Sequence, residues 1–173
     1  MSKIYFHPDI DYQGIRDIEK KYNSTDQNYL INKASDAVSI KLQQLLKKTD
    51  NSLFVCGPGF NGLDALFAAY KLLNLQYNIS IFFTQENIHL EYINKFNLTD
   101  SIVNKYDTNN DYNFIIDGIF GYGLNRDLSK KYIGLINSIN KSSSTIVSLD
   151  LPSGLNHTNG ELMPISISCD HLI

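Results

Sequence analysis

The stretch Leu53-Phe54-Val55-Cys56-Gly57-Pro58-Gly59-Phe60-Asn61-Gly62 predicts the fold of this chain. Its first four residues are all apolar, which is typical of a central parallel strand buried on both faces. The glycines that follow match the pattern G-x-G-x-x-G and open a helix predicted from about residue 62 to residue 73. Such a loop lets a phosphate approach bare backbone and the positive end of a helix. The alternative is a tight turn that binds no ligand.

Outward from this stretch, buried strands alternate with amphipathic helices. Further strands are predicted at residues 79–83, 101–103, 114–117, 145–149 and 165–173, and helices at residues 9–21, 27–47, 88–96 and 132–139. Alternation of this kind indicates βαβ units whose right-handed crossovers place helices on both faces of one sheet. We therefore expect a doubly wound, mostly parallel, Rossmann-like α/β/α fold with two leading N-terminal helices.

Composition narrows the class of protein. The chain has 173 residues, 43% hydrophobic and 19% charged, which favours a single domain with one sizeable core. A net charge of −3, without a dense basic face, argues against nucleic acid as a partner. No long apolar run and no signal peptide are evident, so we expect a cytoplasmic protein that does not bind membranes. Cys56 and Cys169 form no metal or disulfide pattern.

Two further motifs each place an aspartate and a glycine turn after a buried strand. They are Asp117-Gly118-Ile119-Phe120-Gly121-Tyr122-Gly123-Leu124 and Asp150-Leu151-Pro152-Ser153-Gly154-Leu155. Each aspartate could simply cap its turn. However, ligands of open α/β sheets bind beyond the carboxyl ends of the strands, where these loops would meet Asn61 and Asp64. Such a cluster of oxygen ligands suits a hard cation. The four histidines share no metal-binding spacing, and we expect them to be surface or hydrogen-bonded residues.

The three motifs together resemble those of the NAD(P)H-hydrate epimerase family, the YjeF N-terminal domain. That family's glycine loop is similar to G-P-G-N-N-G-G-D-G, and residues 57–65 here are G-P-G-F-N-G-L-D-A. Its D-A-I-F-G-x-G motif appears as D-G-I-F-G-Y-G at residues 117–123, and its D-[IL]-P-S-G motif is intact at residues 150–154. Residues 29–34 resemble the family's L-M-E-N-A-G helix start. The resemblance spans almost the whole chain.

This resemblance implies an isomerase that interconverts the R and S epimers of hydrated NADH or NADPH, so that a separate dehydratase can restore the cofactor. It implies a bound potassium ion held by Asn61, Asp117 and Ser153, and a homodimer. Asp150 is the expected proton acceptor and donor, with Asp64 as second candidate. The substrate would contact Phe60, Asn61, Gly62, Leu63, Asp64, Gly121, Tyr122, Gly123, Leu124, Asn125, Arg126, Asp127 and Asp150.

Three residues of the glycine loop depart from the family pattern, because Phe60 replaces an Asn while Leu63 and Ala65 each replace a Gly. The leading hypothesis is an epimerase that is active or weakened by these residues. The alternative is a catalytically degenerate relative that binds a nucleotide or a partner. An NAD-dependent dehydrogenase has weaker support, from Glu86 after the second strand, since the chain has no second domain for a substrate. The domain, residues 1–173, is also expected to be shortened at its C-terminus.

Overall fold

The computed structural model describes residue 14 and residues 27–107, 111–124, 127–156 and 162–173. Its helices are α1 Gln27–Leu45, α2 Phe60–Asn74, α3 Leu90–Phe96 and α4 Lys130–Asn140, with a 3₁₀ turn at Thr99–Ser101. Its strands are β1 Ser52–Cys56, β2 Ile79–Phe83, β3 Phe114–Gly118, β4 Thr145–Ser148 and β5 His171–Leu172. The first predicted helix, residues 9–21, lies outside the described residues apart from Gly14.

The five strands form one parallel sheet in the order β2-β1-β3-β4-β5. This order confirms the predicted doubly wound α/β class, since the chain begins at a central strand and reverses direction once. The reversal lies between β1 and β3, which pair along their whole length from Ser52 to Cys56. Ligands of such sheets bind beyond the carboxyl ends of the strands at this point.

The sheet separates two layers of apolar packing. Phe54 and Cys56 of β1 face the helices α1, α2 and α3 in one cluster, which includes Leu42 and Leu66. The alternate residues Leu53 and Val55 face α4 in the other cluster. All five residues of β1 are buried, which accounts for its continuous apolar sequence. The glycine loop therefore extends from a sheet that is covered by helices on both faces.

Two predicted strands were wrong in extent. Residues 101–103 form only an isolated parallel bridge from Ile102 to Ile81, directly after the 3₁₀ turn. A single bridge at the outer edge of β2 cannot make a ladder. Of residues 165–173, only His171–Leu172 pairs as a strand; the preceding residues make scattered hydrogen bonds instead of a ladder, as in the bond from Ile167 N to Ser153 O. Among the described residues, no helix has the length and apolar character needed to span a membrane.

Candidate functional site

The glycine loop is packed tightly against its neighbours. A Cβ added at Gly57 would lie 1.8 Å from Ile119 O, and one added at Gly62 would lie 1.9 Å from Gly57 O. Gly59 differs, because a Cβ there would meet no atom within 4 Å. Gly59 is also the N-cap of α2 and supplies no side-chain hydrogen bond to the helix start. Two glycines thus allow close packing, while the third leaves open space before the first N–H groups of α2.

Asp117 is the buried centre of the site. It is 0% exposed, and it is the last residue but one of β3. Oδ1 accepts hydrogen bonds from Ser153 Oγ at 2.5 Å and Ile119 N at 3.2 Å. Oδ2 accepts from Ser148 Oγ at 2.8 Å and Ser153 N at 2.9 Å. Burial raises the pKa of Asp117 above its ordinary value, although these four hydrogen bonds act in the opposite direction.

Asn61 and Ser153 meet Asp117 around the backbone of Phe120. Asn61 Nδ2 donates to Phe120 O at 2.9 Å and to Leu149 O at 3.3 Å. Ser153 Oγ accepts from Phe120 N at 2.9 Å and lies 3.1 Å from Phe120 O. All three side chains are buried. The structure therefore brings together Asn61 from the start of α2, Asp117 from the end of β3 and Ser153 from the loop after β4, while their role as ligands of an ion stays a prediction.

Asp150 lies at the exposed rim of this cluster. Its backbone is left-handed, with φ of 63°, which Asp tolerates better than most residues. Its Oδ2 accepts a hydrogen bond from Tyr122 N at 2.6 Å. Gly121 makes this approach possible, because a Cβ there would lie 2.4 Å from Asp150 Oδ2 and 3.2 Å from Asn61 Cβ. A solvent-accessible carboxylate is thereby fixed beside the buried oxygen cluster.

The remaining predicted residues of the site surround these groups. Asp64 is half-buried and follows Asn61 by three positions in α2, which places both on neighbouring parts of the same helix surface. Tyr122 is half-buried, whereas Gly123 and Asp127 are exposed. Leu124 packs into the core beneath the loop, so its backbone rather than its side chain faces the site. Asn125 and Arg126 lie outside the described residues.

His89 contacts the glycine loop, which the sequence did not indicate. Its Nε2 lies 2.8 Å from Gly57 O, and because a carbonyl oxygen only accepts, Nε2 carries the proton. Burial lowers the pKa of His89 below its ordinary value, against the opposing effects of this hydrogen bond and the Glu91 carboxylate. The expectation of a hydrogen-bonded histidine is confirmed here, but its partner lies 32 residues away, with no local signal. His171 is exposed, and His7 and His157 lie outside the described residues.

A cavity of about 570 Å³ lies on this flank of the glycine loop. Phe60 and Leu63, two of the three departures from the family pattern, line it, whereas the third, Ala65, is buried in the core.

Among the described residues, no group of three or more His, Cys, Asp or Glu side chains is arranged to hold a metal ion.

Comparison with known proteins settles the family. The family model described as YjeF-related protein N-terminus matches residues 27–173. The chain belongs to the family of YjeF-related N-terminal domains. The crystal structure of the yeast protein YNL200c shares the fold of this YjeF-related chain, with a TM-score of 0.76 at 21% identity, over 92% of this chain and 77% of the yeast chain.

Curated relatives of this YjeF-related chain carry names from nicotinamide nucleotide repair. The NAD(P)H-hydrate epimerase of Dictyostelium discoideum is 31% identical over 64% of this chain and 51% of its own length. The NAD(P)H-hydrate epimerase of Oenococcus oeni is 27% identical over 87% of this chain and 80% of its own length. The chain spans about half the length of the first two curated relatives it matches, 51% and 52%. A third relative, from Thermofilum pendens, is a bifunctional NAD(P)H-hydrate repair enzyme Nnr.

Proposed function

We propose that this chain is an NAD(P)H-hydrate epimerase that interconverts the R and S epimers of hydrated NADH and NADPH. The names of its curated relatives support this activity. The observation that carries the proposal is the position of Asp150, an exposed carboxylate fixed by Tyr122 N beside the Asn61 and Gly121 backbone surface. The site thus offers an exposed proton-transfer group close to Gly121 and to Asn61 at the start of α2.

The reaction neither adds nor removes atoms overall. Inverting the carbon that bears the hydroxyl group requires loss and re-addition of water, or opening and closure of the ring. Both routes move a proton to and from an oxygen or nitrogen atom near that carbon. Asp150 would supply and recover this proton, with Asp64 as the second candidate. The nicotinamide nitrogen itself provides the electrons that expel the hydroxyl group, so the protein mainly positions the ring.

The loops are the proposed contacts of the nucleotide. The diphosphate would lie at residues 60–64, where the N–H groups at the start of α2 follow the open space at Gly59. Residues 121–124 and Asp127, in the loop after β3, would also contact it. This arrangement leaves the hydrated ring on the side of Asp150. A separate dehydratase, the second activity implied by the bifunctional relatives' name, would consume one epimer.

The buried cluster has the chemistry of a potassium site. Asp117 is fully buried, and the described part of the chain brings no basic side chain within ion-pair distance of it. Besides the N–H and O–H groups that donate to Asp117, the cluster holds the Ser153 hydroxyl and Phe120 carbonyl oxygens, with the Asn61 amide beside them. Asn61, Asp117 and Ser153 would therefore hold the ion. When bound, K⁺ would supply a positive charge that balances Asp117 and attracts the diphosphate.

The activity is tested with a mixture of both epimers of hydrated NADH and a dehydratase that is specific for the S epimer. Without this chain, we expect consumption to stop when the S epimer is exhausted; with it, all of the substrate should be converted to NADH. If the R epimer remains although the chain is folded and in excess, the chain is not an epimerase. The double substitution Phe60→Asn with Leu63→Gly would then test whether the chain is a degenerate relative, because such a relative should regain binding of the nucleotide.

The ion is tested separately, by thermal unfolding in potassium chloride and in tetramethylammonium chloride of the same ionic strength. Ligand binding to the native state raises the unfolding temperature, so potassium should stabilise the chain selectively. The variant Asn61→Ala removes a proposed ligand and keeps all four hydrogen bonds of Asp117, and it should lose the selective stabilisation. Equal unfolding temperatures of the unaltered chain in the two salts would contradict the proposed site.

A further inference from the structure

The cavity beside the glycine loop is formed by three helices that meet at one edge of the sheet. The first turn of α2 contributes Phe60 and Leu63, α3 contributes Leu90 and Tyr92, and α1 contributes Ile31. Its volume of about 570 Å³ falls within the range of small-molecule sites. Most of the lining side chains are aliphatic or aromatic, and the charged one, Glu91, disfavours a phosphate, so the lining favours a flat, weakly polar group.

Two of these side chains are exposed to solvent without a ligand. Phe60 is 67% exposed and Leu90 is 49% exposed, although both belong to regular helices. An aromatic ring held in water at the mouth of a cavity provides a stacking surface for another ring. His89, which donates to Gly57 O, ties the start of α3 to the glycine loop, so the two walls of the cavity are connected.

The cavity and the site of Asp150 lie on opposite flanks of the start of α2. Asn61 is buried toward Phe120 and Leu149. Leu63 follows it by two positions, which at 3.6 residues per turn directs the two side chains to nearly opposite sides of the helix. Gly59, where a Cβ would meet no atom within 4 Å, lines the cavity and directly precedes the first N–H groups of α2.

We propose that this cavity binds the adenine ring of the dinucleotide, with Phe60, Leu63 and Leu90 as its apolar contacts. The assignment rests on the proposed function, which supplies a ligand with two rings joined through a diphosphate. Hydration makes the nicotinamide ring non-planar and polar, so it suits the flank of Asp150. Adenine is planar and aromatic and therefore suits the apolar cavity, while the diphosphate would cross the start of α2.

This assignment gives the unusual residues of the loop a role in specificity. Phe60 and Leu63 replace an Asn and a Gly of the family pattern, and both line the cavity. They add apolar surface on the flank that faces away from Asn61. The two departures thus increase affinity for the base in this particular chain.

Calorimetric titration with ADP and with inorganic pyrophosphate separates the base from the phosphates. The unaltered chain should bind both ligands, and ADP more tightly. Phe60→Ala and Leu90→Ala should each weaken ADP binding roughly tenfold, the usual loss when a stacking or apolar contact to a base is removed. Leu90→Ala, which lies outside the proposed diphosphate contacts at residues 60–64, should not change the binding of pyrophosphate. Leu75→Ala, at a leucine 43% exposed at the distal end of α2, is the matched control for Leu90→Ala and should change neither.

Photolabelling with 8-azido-ADP locates the base directly. We expect the label on Phe60 or on residues 89–92, and we expect excess ADP to prevent labelling. Label on residues 120–124 or elsewhere would overturn the proposal, as would an absence of ADP binding or equal binding by the variants. The epimerase assay is read independently: failure there with the expected ADP pattern rejects the proposed function and keeps the adenine site, and activity without that pattern does the reverse.

Discussion

Asp117 and Asp150 share one local sequence pattern, an aspartate between a buried strand and a glycine-containing turn, yet their surroundings differ completely. Asp117 is still within β3, paired in register with Ser148, and is fully buried. Asp150 lies two residues beyond β4, in left-handed backbone and exposed. Depth at the sheet edge, rather than the local sequence motif, thus separates a carboxylate that organises loops from one that can meet a substrate.

The partners of the two carboxylates show the same difference. Asp117 accepts four hydrogen bonds, two of them from Ser153, and so joins the loop after β4 to the end of β3. Asp150 Oδ2 accepts a hydrogen bond from the Tyr122 N–H, which belongs to the loop that would cover the substrate. Changes at Asp117 should therefore appear in stability, and changes at Asp150 in activity.

The largest effect is expected from Asp117→Ala. It leaves Ser148 Oγ, Ser153 N and Ile119 N without their buried acceptor, and each such loss costs about 1–3 kcal/mol. We expect the free energy of unfolding in urea to fall by at least about 3 kcal/mol. Asp117→Asn, which keeps one acceptor oxygen, should lose less and serves if the alanine variant does not fold.

The exposed Asp127 is the control for Asp117. Asp127→Ala should change the free energy of unfolding by less than about 0.5 kcal/mol, as surface substitutions usually do. If Asp117→Ala were as mild as Asp127→Ala, Asp117 would not be the structural centre of the three loops.

Asp150→Asn should have the opposite profile. Asparagine tolerates left-handed backbone and keeps an acceptor for Tyr122 N, but it cannot exchange the proton. We expect epimerase turnover to fall at least about a hundredfold, the lower range for loss of a general acid–base group. The urea midpoint should hardly move. An active Asp150→Asn variant would transfer the catalytic role to Asp64, which Asp64→Asn would then test.

The sequence predicted the sheet because its central strands are buried on both faces and therefore contain continuous apolar runs, such as Leu53-Phe54-Val55-Cys56 in β1. It also predicted that Asn61, Asp117 and Asp150 lie near one another, because strand ends of a parallel sheet share one edge, whereas Ser153 was indicated only by the family resemblance. Residues 101–103 were misassigned, since a short segment with two β-branched apolar residues, such as Ser101-Ile102-Val103, is equally compatible with a bridge after a 3₁₀ turn.

Long-range contacts of the site had no sequence signal. The hydrogen bond from His89 to Gly57 O joins residues on separate βα units, and its geometry depends on left-handed backbone at His89. The sequence also could not predict that Phe60 and Leu63 line the cavity, because it showed only that they depart from the family pattern. Which surface of α2 they occupy follows from the packing of α1 and α3.

Gly121→Ala tests how closely Asp150 must be held. The added Cβ would fall 2.4 Å from Asp150 Oδ2, so the carboxylate must shift although the backbone itself accepts alanine. We expect a loss of epimerase turnover of roughly tenfold or more, because small displacements of a reacting group are costly. Unfolding should change by less than about 2 kcal/mol.

Gly134 is the matched glycine for this test. A Cβ there meets nothing within 4 Å, and the residue lies in α4, remote from the loops of the site. Gly134→Ala should therefore keep full turnover and increase the free energy of unfolding by up to about 1 kcal/mol, since alanine favours a helix. Full turnover of Gly121→Ala would show that Asp150 has more freedom than its contacts indicate.

The smallest effect concerns His89, an ionisable group of intermediate burial on the other flank of the loop. Burial lowers its pKa in the folded chain below the ordinary value of 6.5, so the unfolded chain binds the proton more readily. The stabilising contribution is therefore complete above that ordinary pKa and is lost as the pH falls below it. Unfolding free energies measured at about pH 8 and about pH 5.5 should decline more for the unaltered chain than for His89→Gln. His171→Gln, at an exposed histidine, should retain the full decline, and an equal decline in His89→Gln would mean that His89 is not buried against Gly57 in solution.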